Sequence, residues 1–162
     1  DRVFFWDRER GSLHTLAVRI HVARCGASWR ADSHYVQLGA HTHAPASRAR
    51  GGRIVPAADL DDRVVHNQEG KWQPVELVPS FWDETLVSAE RAAAVFPDLA
   101  LVGLDFVVDM KGHRPTAIPI EATPRPAGLC HARRTIDGRS GVSEGLWNDL
   151  RANRCAALHL TL

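Results

Sequence analysis

Two carboxylates, Asp105 and Glu121, stand in stretches of sequence that are otherwise apolar. Asp105 lies in "LVGLDFVV" and Glu121 in "IPIEATPRP". An ionised carboxylate is costly to remove from water unless it is paired or bound to a metal. Oxygen ligands without thiolates favour Mg²⁺ or Mn²⁺ over zinc. The two residues therefore predict a hard-cation site, with a solvated sheet face balanced by arginines as the alternative.

The segment between the two carboxylates, "DMKGHRP", has the composition of a hairpin turn. A turn centred on Gly112 pairs Asp105 with Pro119 and makes Asp105 and Glu121 diagonal neighbours, roughly 7–8 Å apart at the backbone. Because like charges that share a cation repel one another when it is absent, neutralising either carboxylate is expected to leave stability unchanged or raised. The flanking apolar residues indicate that this hairpin is buried.

A strand is predicted well before these carboxylates in the sequence. "LHTLAVRIHVARCG", residues 13–26, alternates with period two, so that Leu16 and Val18 share one side and Arg19 faces away from the main core. Residues 39–53 are rich in small and basic residues and predict a long mobile loop.

A helix is predicted over residues 81–96. Ser80 and Asp83 have the spacing of a capping box, apolar residues recur at helical intervals, and Pro97 ends the pattern. A second helix is predicted from about Ser143, with no chemistry assigned to it.

The composition fits one soluble domain of 162 residues, and a formal charge of +1 argues against general attraction to nucleic acid or to an anionic membrane. Three widely spaced cysteines indicate no disulfide framework, which makes a reducing, cytoplasmic setting the expectation. No apolar run is long enough to span a membrane.

Residues 102–129, "VGLDFVVDMKGHRPTAIPIEATPRPAGL", resemble the C-terminal signature of the ATP-grasp superfamily. The resemblance extends to "AVRIHV" at 17–22 and "RARGG" at 48–52, and covers about residues 12–130 in order. The helix that runs into "LVGLDFVVD" is similar to that of glutamate-ligase-like and sugar-transfer-associated members. The resemblance implies an α/β (α+β) C-terminal lobe with a mainly antiparallel sheet and packed helices.

The implied activity is ATP-dependent ligation, in which a substrate carboxylate is phosphorylated and an amine then attacks the acyl phosphate. The implied cofactors are ATP and Mg²⁺, or Mn²⁺, the partners are small-molecule or peptide carboxylates and amines, and a homo-oligomer is compatible. The expected metal ligands are Asp105, Glu121 and Thr123, and Ile120 is expected to border the adenine. The expected catalytic residues are Arg19 and Arg125, with a surface salt bridge as the alternative for Arg125. Arg48, Arg50 and Arg53, beside Gly51-Gly52, are expected either to bind the phosphates of the nucleotide or to keep the loop solvated.

The sequence departs from the family pattern in three ways. Thr123 stands where an asparagine is usual, Pro119 removes a ladder donor, and the preceding lobe that carries the phosphate-binding lysines is absent from these residues. The expectation is a single domain from a longer ligase, and the alternative is a non-catalytic domain that binds nucleotide or metal. A third interpretation is a zinc or nickel site at His41 and His43.

Overall fold

The computed structural model describes residues 2–60 and 62–124, and the predicted helix from about Ser143 lies outside them. The described part is an α+β fold in which one antiparallel sheet packs against one α-helix. Its elements are β1 Val3–Asp7, β2 Ser12–Cys25, β3 Ser28–Leu38, β4 Arg53–Val55, β5 Val64–Gln68, β6 Lys71–Pro74, α1 Pro79–Ala93, β7 Leu101–Lys111 and β8 Arg114–Thr123, with 3₁₀ turns at Arg48–Arg50 and Ala57–Leu60.

Strand β2 is the centre of the sheet. Its residues 16–25 pair with β3, residues 17–23 pair with β7, and residues 12–15 pair with β1. The predicted strand over residues 13–26 is therefore confirmed. Its apolar side, which includes Leu16 and Val18, is buried in the main core. Alternation then directs Arg19 to the opposite face of the sheet, as predicted.

Helix α1 covers the apolar face of the sheet and begins earlier than predicted. It runs from Pro79 to Ala93, with Val78 at the N-cap and no side-chain capping bond, so the capping box predicted from Ser80 is wrong. Proline suits the first helical turn because its missing N–H would have no partner there. Phe81, Ala89 and Ala93 are buried against the sheet.

The β7–β8 hairpin is present, but its register differs from the prediction. The turn is the two-residue loop Gly112-His113, in which Gly112 has a φ of 62°. Phe106, rather than Asp105, pairs with Pro119. A β-bulge follows, so that Asp105 pairs directly with Glu121. Without the extra residue, Glu121 would shift by one position and its side chain would change face.

The loop predicted over residues 39–53 is attached to the sheet at several points. Thr15 Oγ1 on β2 donates to the carbonyl oxygen of Ala44 at 2.6 Å, and Gly39 N–H donates to the carbonyl oxygen of Thr15 at 2.9 Å. A Cβ atom on Gly52 would lie 2.0 Å from the backbone oxygen of Leu38. Gly52 is therefore needed for the close approach of two backbones.

Candidate functional site

An ion pair between Arg19 on β2 and Asp105 on β7 forms the centre of the candidate site. The two residues are direct cross-strand partners. Arg19 Nη2 donates to Asp105 Oδ2 at 2.5 Å, and Arg19 Nε donates to Oδ1. Gln37 on β3 adds a bond from Nε2 to Oδ1 at 3.2 Å. All three side chains belong to buried residues.

The surroundings keep Arg19 charged. Burial acts to lower the pKa of its guanidinium, but the hydrogen bonds and charge of Asp105, with smaller contributions from Tyr35 and Glu121, outweigh burial and raise that pKa. The contribution of Glu121 follows from its direct pairing with Asp105. One guanidinium and two carboxylates thus meet on one face of the sheet.

The hydrogen bonds of Asp105 limit what else it can bind. A carboxylate oxygen has two lone pairs, and Oδ1 accepts from both Arg19 Nε and Gln37 Nε2. Oδ2 accepts from Arg19 Nη2, which leaves it one further acceptor position. Asp105 can therefore offer a cation one lone pair at most while the pair with Arg19 remains intact.

Glu121 is exposed, in contrast to the prediction that its stretch is buried. The neighbouring Ile120 is 59% exposed, and β8 pairs only with β7 among the described strands. The carboxylate of Glu121 accepts a bond from Thr123 Oγ1 at 3.2 Å. Because the threonine hydroxyl donates in that bond, its oxygen retains lone pairs for another ligand. Because Glu121 is exposed, the cost of removing its charge from water no longer indicates a bound metal, but its oxygens are accessible to a ligand.

Arg19, Asp105 and Glu121 line a cleft of about 380 Å³, whereas Thr123 is not part of its lining. Its apolar lining includes Leu16, Val107 and Ile120, and its polar lining consists of Arg2, Thr15, Arg19, Gln37, Ser47, Asp105 and Glu121. Residues 44–47 of the attached loop form part of its rim. A volume of this order lies within the usual range of small-molecule sites. The cleft brings together Arg19, Ile120, Asp105 and Glu121, four of the residues selected from the sequence.

The arginines of the 48–53 segment do not line this cleft. Arg48 and Arg50 are exposed in the 3₁₀ turn. Arg53 Nη2 donates to Asp7 Oδ2 at 2.6 Å, and its guanidinium lies 5.5 Å from the ring centroid of Phe5. Arg125 lies outside the described residues.

Asp7 and Gln37 are buried polar residues that the sequence interpretation missed. Burial acts to raise the pKa of Asp7, but bonds from the backbone N–H groups of Arg10 and Glu9, together with Arg53, outweigh it and lower that pKa. Gln37 shares a sheet face with Tyr35, two positions earlier in β3. An alternating pattern in "SHYVQL" is the signal that could have identified this face.

His41 and His43 do not form part of a metal-ligand set among the residues that the structure describes. His41 and His43 are both exposed, with ring centroids 6.3 Å apart. Across residues 2–60 and 62–124, no group of three or more His, Cys, Asp or Glu side chains is placed to hold a metal ion. Two carboxylates, as at Asp105 and Glu121, fall below that number.

Comparison of the chain with protein-family models, with curated protein sequences and with solved structures finds no significant match. Within the described residues, no helix has the length and apolar character required to cross a membrane.

Proposed function

We propose that this chain is the Mg-ATP-binding lobe of a carboxylate–amine ligase of the ATP-grasp type. The observation that supports the proposal is the convergence of Arg19, Asp105 and Glu121 on one cleft, where strand β2 meets the β7–β8 hairpin from a distant part of the sequence. The resemblance of residues 102–129 to the ATP-grasp signature supplies the reaction class. Phosphoryl transfer depends on positioning and charge neutralisation, for which arginine, carboxylates and a divalent ion are suited.

The donor set fits a magnesium ion with few protein ligands. Mg²⁺ commonly binds one or two carboxylates and completes its coordination with water and substrate phosphates. Glu121 is the accessible carboxylate and the Thr123 hydroxyl is a further oxygen donor, whereas Asp105 is already bound by Arg19 and Gln37. A bound ion would neutralise phosphate charge at this end of the cleft.

The residues of the cleft divide into charge-stabilising and apolar groups. The ligation transfers the γ-phosphoryl group of ATP to a substrate carboxylate and releases ADP, after which an amine displaces phosphate and loses a proton. Arg19 would stabilise the negative charge of the transferred group. Ile120, which is exposed at the cleft, would pack against the adenine ring. Arg125 remains a proposed active-site residue.

Calorimetric titration of ATP into the full natural protein, with Mg²⁺ and with a chelator, tests the nucleotide site. We expect Mg²⁺-dependent binding that Glu121→Gln weakens by about tenfold or more, since a metal ligand is removed. Glu76→Gln removes an exposed carboxylate outside this cleft and should bind ATP as the unmodified protein does. Equal ATP affinities for Glu121→Gln and the unmodified protein at all Mg²⁺ concentrations would contradict the proposal.

The ligase reaction needs its own test. With the full natural protein, ADP release should require both a carboxylate and an amine, and hydroxylamine should trap the acyl phosphate. A library of small carboxylates and amines can be screened by coupled detection of ADP. Absence of carboxylate-dependent ADP release from a protein that binds Mg-ATP would contradict the ligase proposal.

A second candidate is a domain that binds nucleotide or metal without turnover. The observation that favours it is the engagement of Asp105 by Arg19 and Gln37, which leaves Glu121 as the one carboxylate of the pair with an accessible, weakly bonded head group. Mg-ATP binding without substrate-dependent ADP release would support this candidate over the ligase.

A further inference from the structure

We propose that Asp105 and Gln37 are positioning residues for Arg19, and that metal binding in the cleft depends on Glu121 instead of Asp105. The inference rests on the proposed function and divides its two carboxylates into different roles. Asp105 would orient a guanidinium that contacts the anionic ligand, whereas Glu121 would hold the cation.

The geometry of the ion pair fixes the plane of the guanidinium. Arg19 uses Nε and Nη2 to bind the two oxygens of Asp105 side by side. A bidentate pair of this kind constrains orientation as well as distance. Both Nη1 hydrogens and one Nη2 hydrogen remain for other acceptors, and Arg19 lines the cleft. A phosphate or carboxylate group is the ligand chemistry that matches these donors.

Gln37 completes the support from the neighbouring strand. Its Nε2 donates to the same oxygen that Arg19 Nε binds, and the residue is only 9% exposed. The carboxylate of Asp105 is therefore held by β3 as well as by β2. Loss of the Gln37 donor would leave the carboxylate held by Arg19 alone and would weaken the constraint on its orientation.

The energetic cost of metal binding differs between the two carboxylates. A cation that took Asp105 as a full ligand would compete with Arg19, whose side chain is 11% exposed, and would leave a largely buried positive charge without its partner. Breaking a buried pair in this way is strongly unfavourable. Glu121 is exposed and accepts only the bond from Thr123 among the described residues, so it can bind a cation without breaking an ion pair.

Mn²⁺ titration followed by electron paramagnetic resonance separates the two roles. We expect Glu121→Gln to raise the Mn²⁺ concentration at half-saturation, the Mn²⁺ midpoint, by about tenfold or more. The Mn²⁺ midpoints of Asp105→Asn and Gln37→Met should stay within about twofold of that of the unmodified protein. At saturating metal, Asp105→Asn should weaken ATP binding by about tenfold, and Gln37→Met should weaken it less. Gln73→Met, on the exposed strand β6, is the matched control.

The hydrogen bond from Arg19 Nε to Asp105 can be probed without any nucleotide. In the unmodified protein the Arg19 Nε–H should exchange slowly with solvent in NMR spectra, and Gln37→Met should accelerate that exchange. Unchanged exchange would overturn the role of Gln37. If Asp105→Asn fails to fold, Asp105→Glu, which keeps the charge but moves it by one methylene, replaces it with the same expected result.

The remaining outcomes also decide the proposal. An increase in the Mn²⁺ midpoint for the Asp105 variant as large as that for Glu121→Gln would overturn the division of roles, as would the absence of Mn²⁺ binding to the unmodified protein. Failure of the unmodified protein to bind ATP would instead count against the proposed function, because the Mn²⁺ and exchange measurements do not require ATP.

Discussion

Neutralising Asp105 should destabilise the folded protein. The Arg19 and Asp105 side chains are 11% and 10% exposed, and two parallel hydrogen bonds join them. Removing one partner of a buried ion pair typically costs about 3–5 kcal/mol. In Asp105→Asn the amide carbonyl can still accept one hydrogen bond, so we expect the free energy of unfolding to fall by about 3 kcal/mol, the lower end of this range. The sequence alone predicts an unchanged or higher stability, because it indicates repulsion between two carboxylates but does not show the pairing of Asp105 with Arg19.

Urea unfolding followed by tryptophan fluorescence measures this loss. Glu121→Gln is the control: its carboxylate is exposed, so its free energy of unfolding should change by less than about 0.5 kcal/mol. In the double variant Arg19→Met with Asp105→Leu, the two costs should not add, because apolar groups replace both charges. A stability of Asp105→Asn within about 0.5 kcal/mol of the unmodified protein would refute the reasoning, and so would additive costs in the double variant.

Three further predictions concern other parts of the structure. Folding lowers the pKa of Asp7 below its ordinary value of 3.8, so the stability that this carboxylate contributes is complete above that pH and is lost as the pH falls through the folded pKa. In urea unfolding measured from pH 7 down to pH 2, the free energy of unfolding of Asp7→Asn should therefore fall less steeply at acid pH than that of the unmodified protein. Gly52→Ala should lower the stability measured by thermal unfolding by about 3 kcal/mol or more, because its Cβ would lie too close to a backbone oxygen. Gly26→Ala, whose Cβ would meet no other atom but whose φ is 61°, should lower it by about 1–2 kcal/mol. Equal losses for the two variants would contradict the argument from backbone contact. Thr123→Asn should lower the Mn²⁺ midpoint by a fewfold, since an amide carbonyl binds a hard cation better than a hydroxyl does, and an unchanged midpoint would exclude residue 123 from the metal site.

The local patterns of the sequence were sufficient for two elements of the fold. The alternation around Val18 and Ile20 identifies β2 and its buried face, because period two is a property of a single strand. The apolar spacing through Ala89 and Ala93 likewise identifies helix α1. The capping box predicted from Ser80 is wrong, because the helix begins one residue earlier, at Pro79.

The candidate site was identified in part, because some of its signals are not local. Asp105 and Glu121 stand out as acids in apolar stretches, and Arg19 lies on the polar side of its strand. Gln37 carries no such contrast, and nothing in one strand shows that its amide reaches a carboxylate on another. The burial predicted for Glu121 was wrong: the residue is exposed, and β8 pairs only with β7 among the described strands, which depends on how the strands are arranged in the sheet.

The sequence by itself determined which side of β2 carries Arg19, since backbone geometry makes neighbouring side chains alternate between faces. It also determined that Asp105 and Glu121 belong to one hairpin, because the intervening turn is short. Only the tertiary structure decided that Arg19 meets Asp105, which is 86 residues away, and that a bulge brings Glu121 opposite Asp105. The physical reason is that strand pairing and register depend on the whole sheet, and one inserted residue changes the face on which a side chain lies.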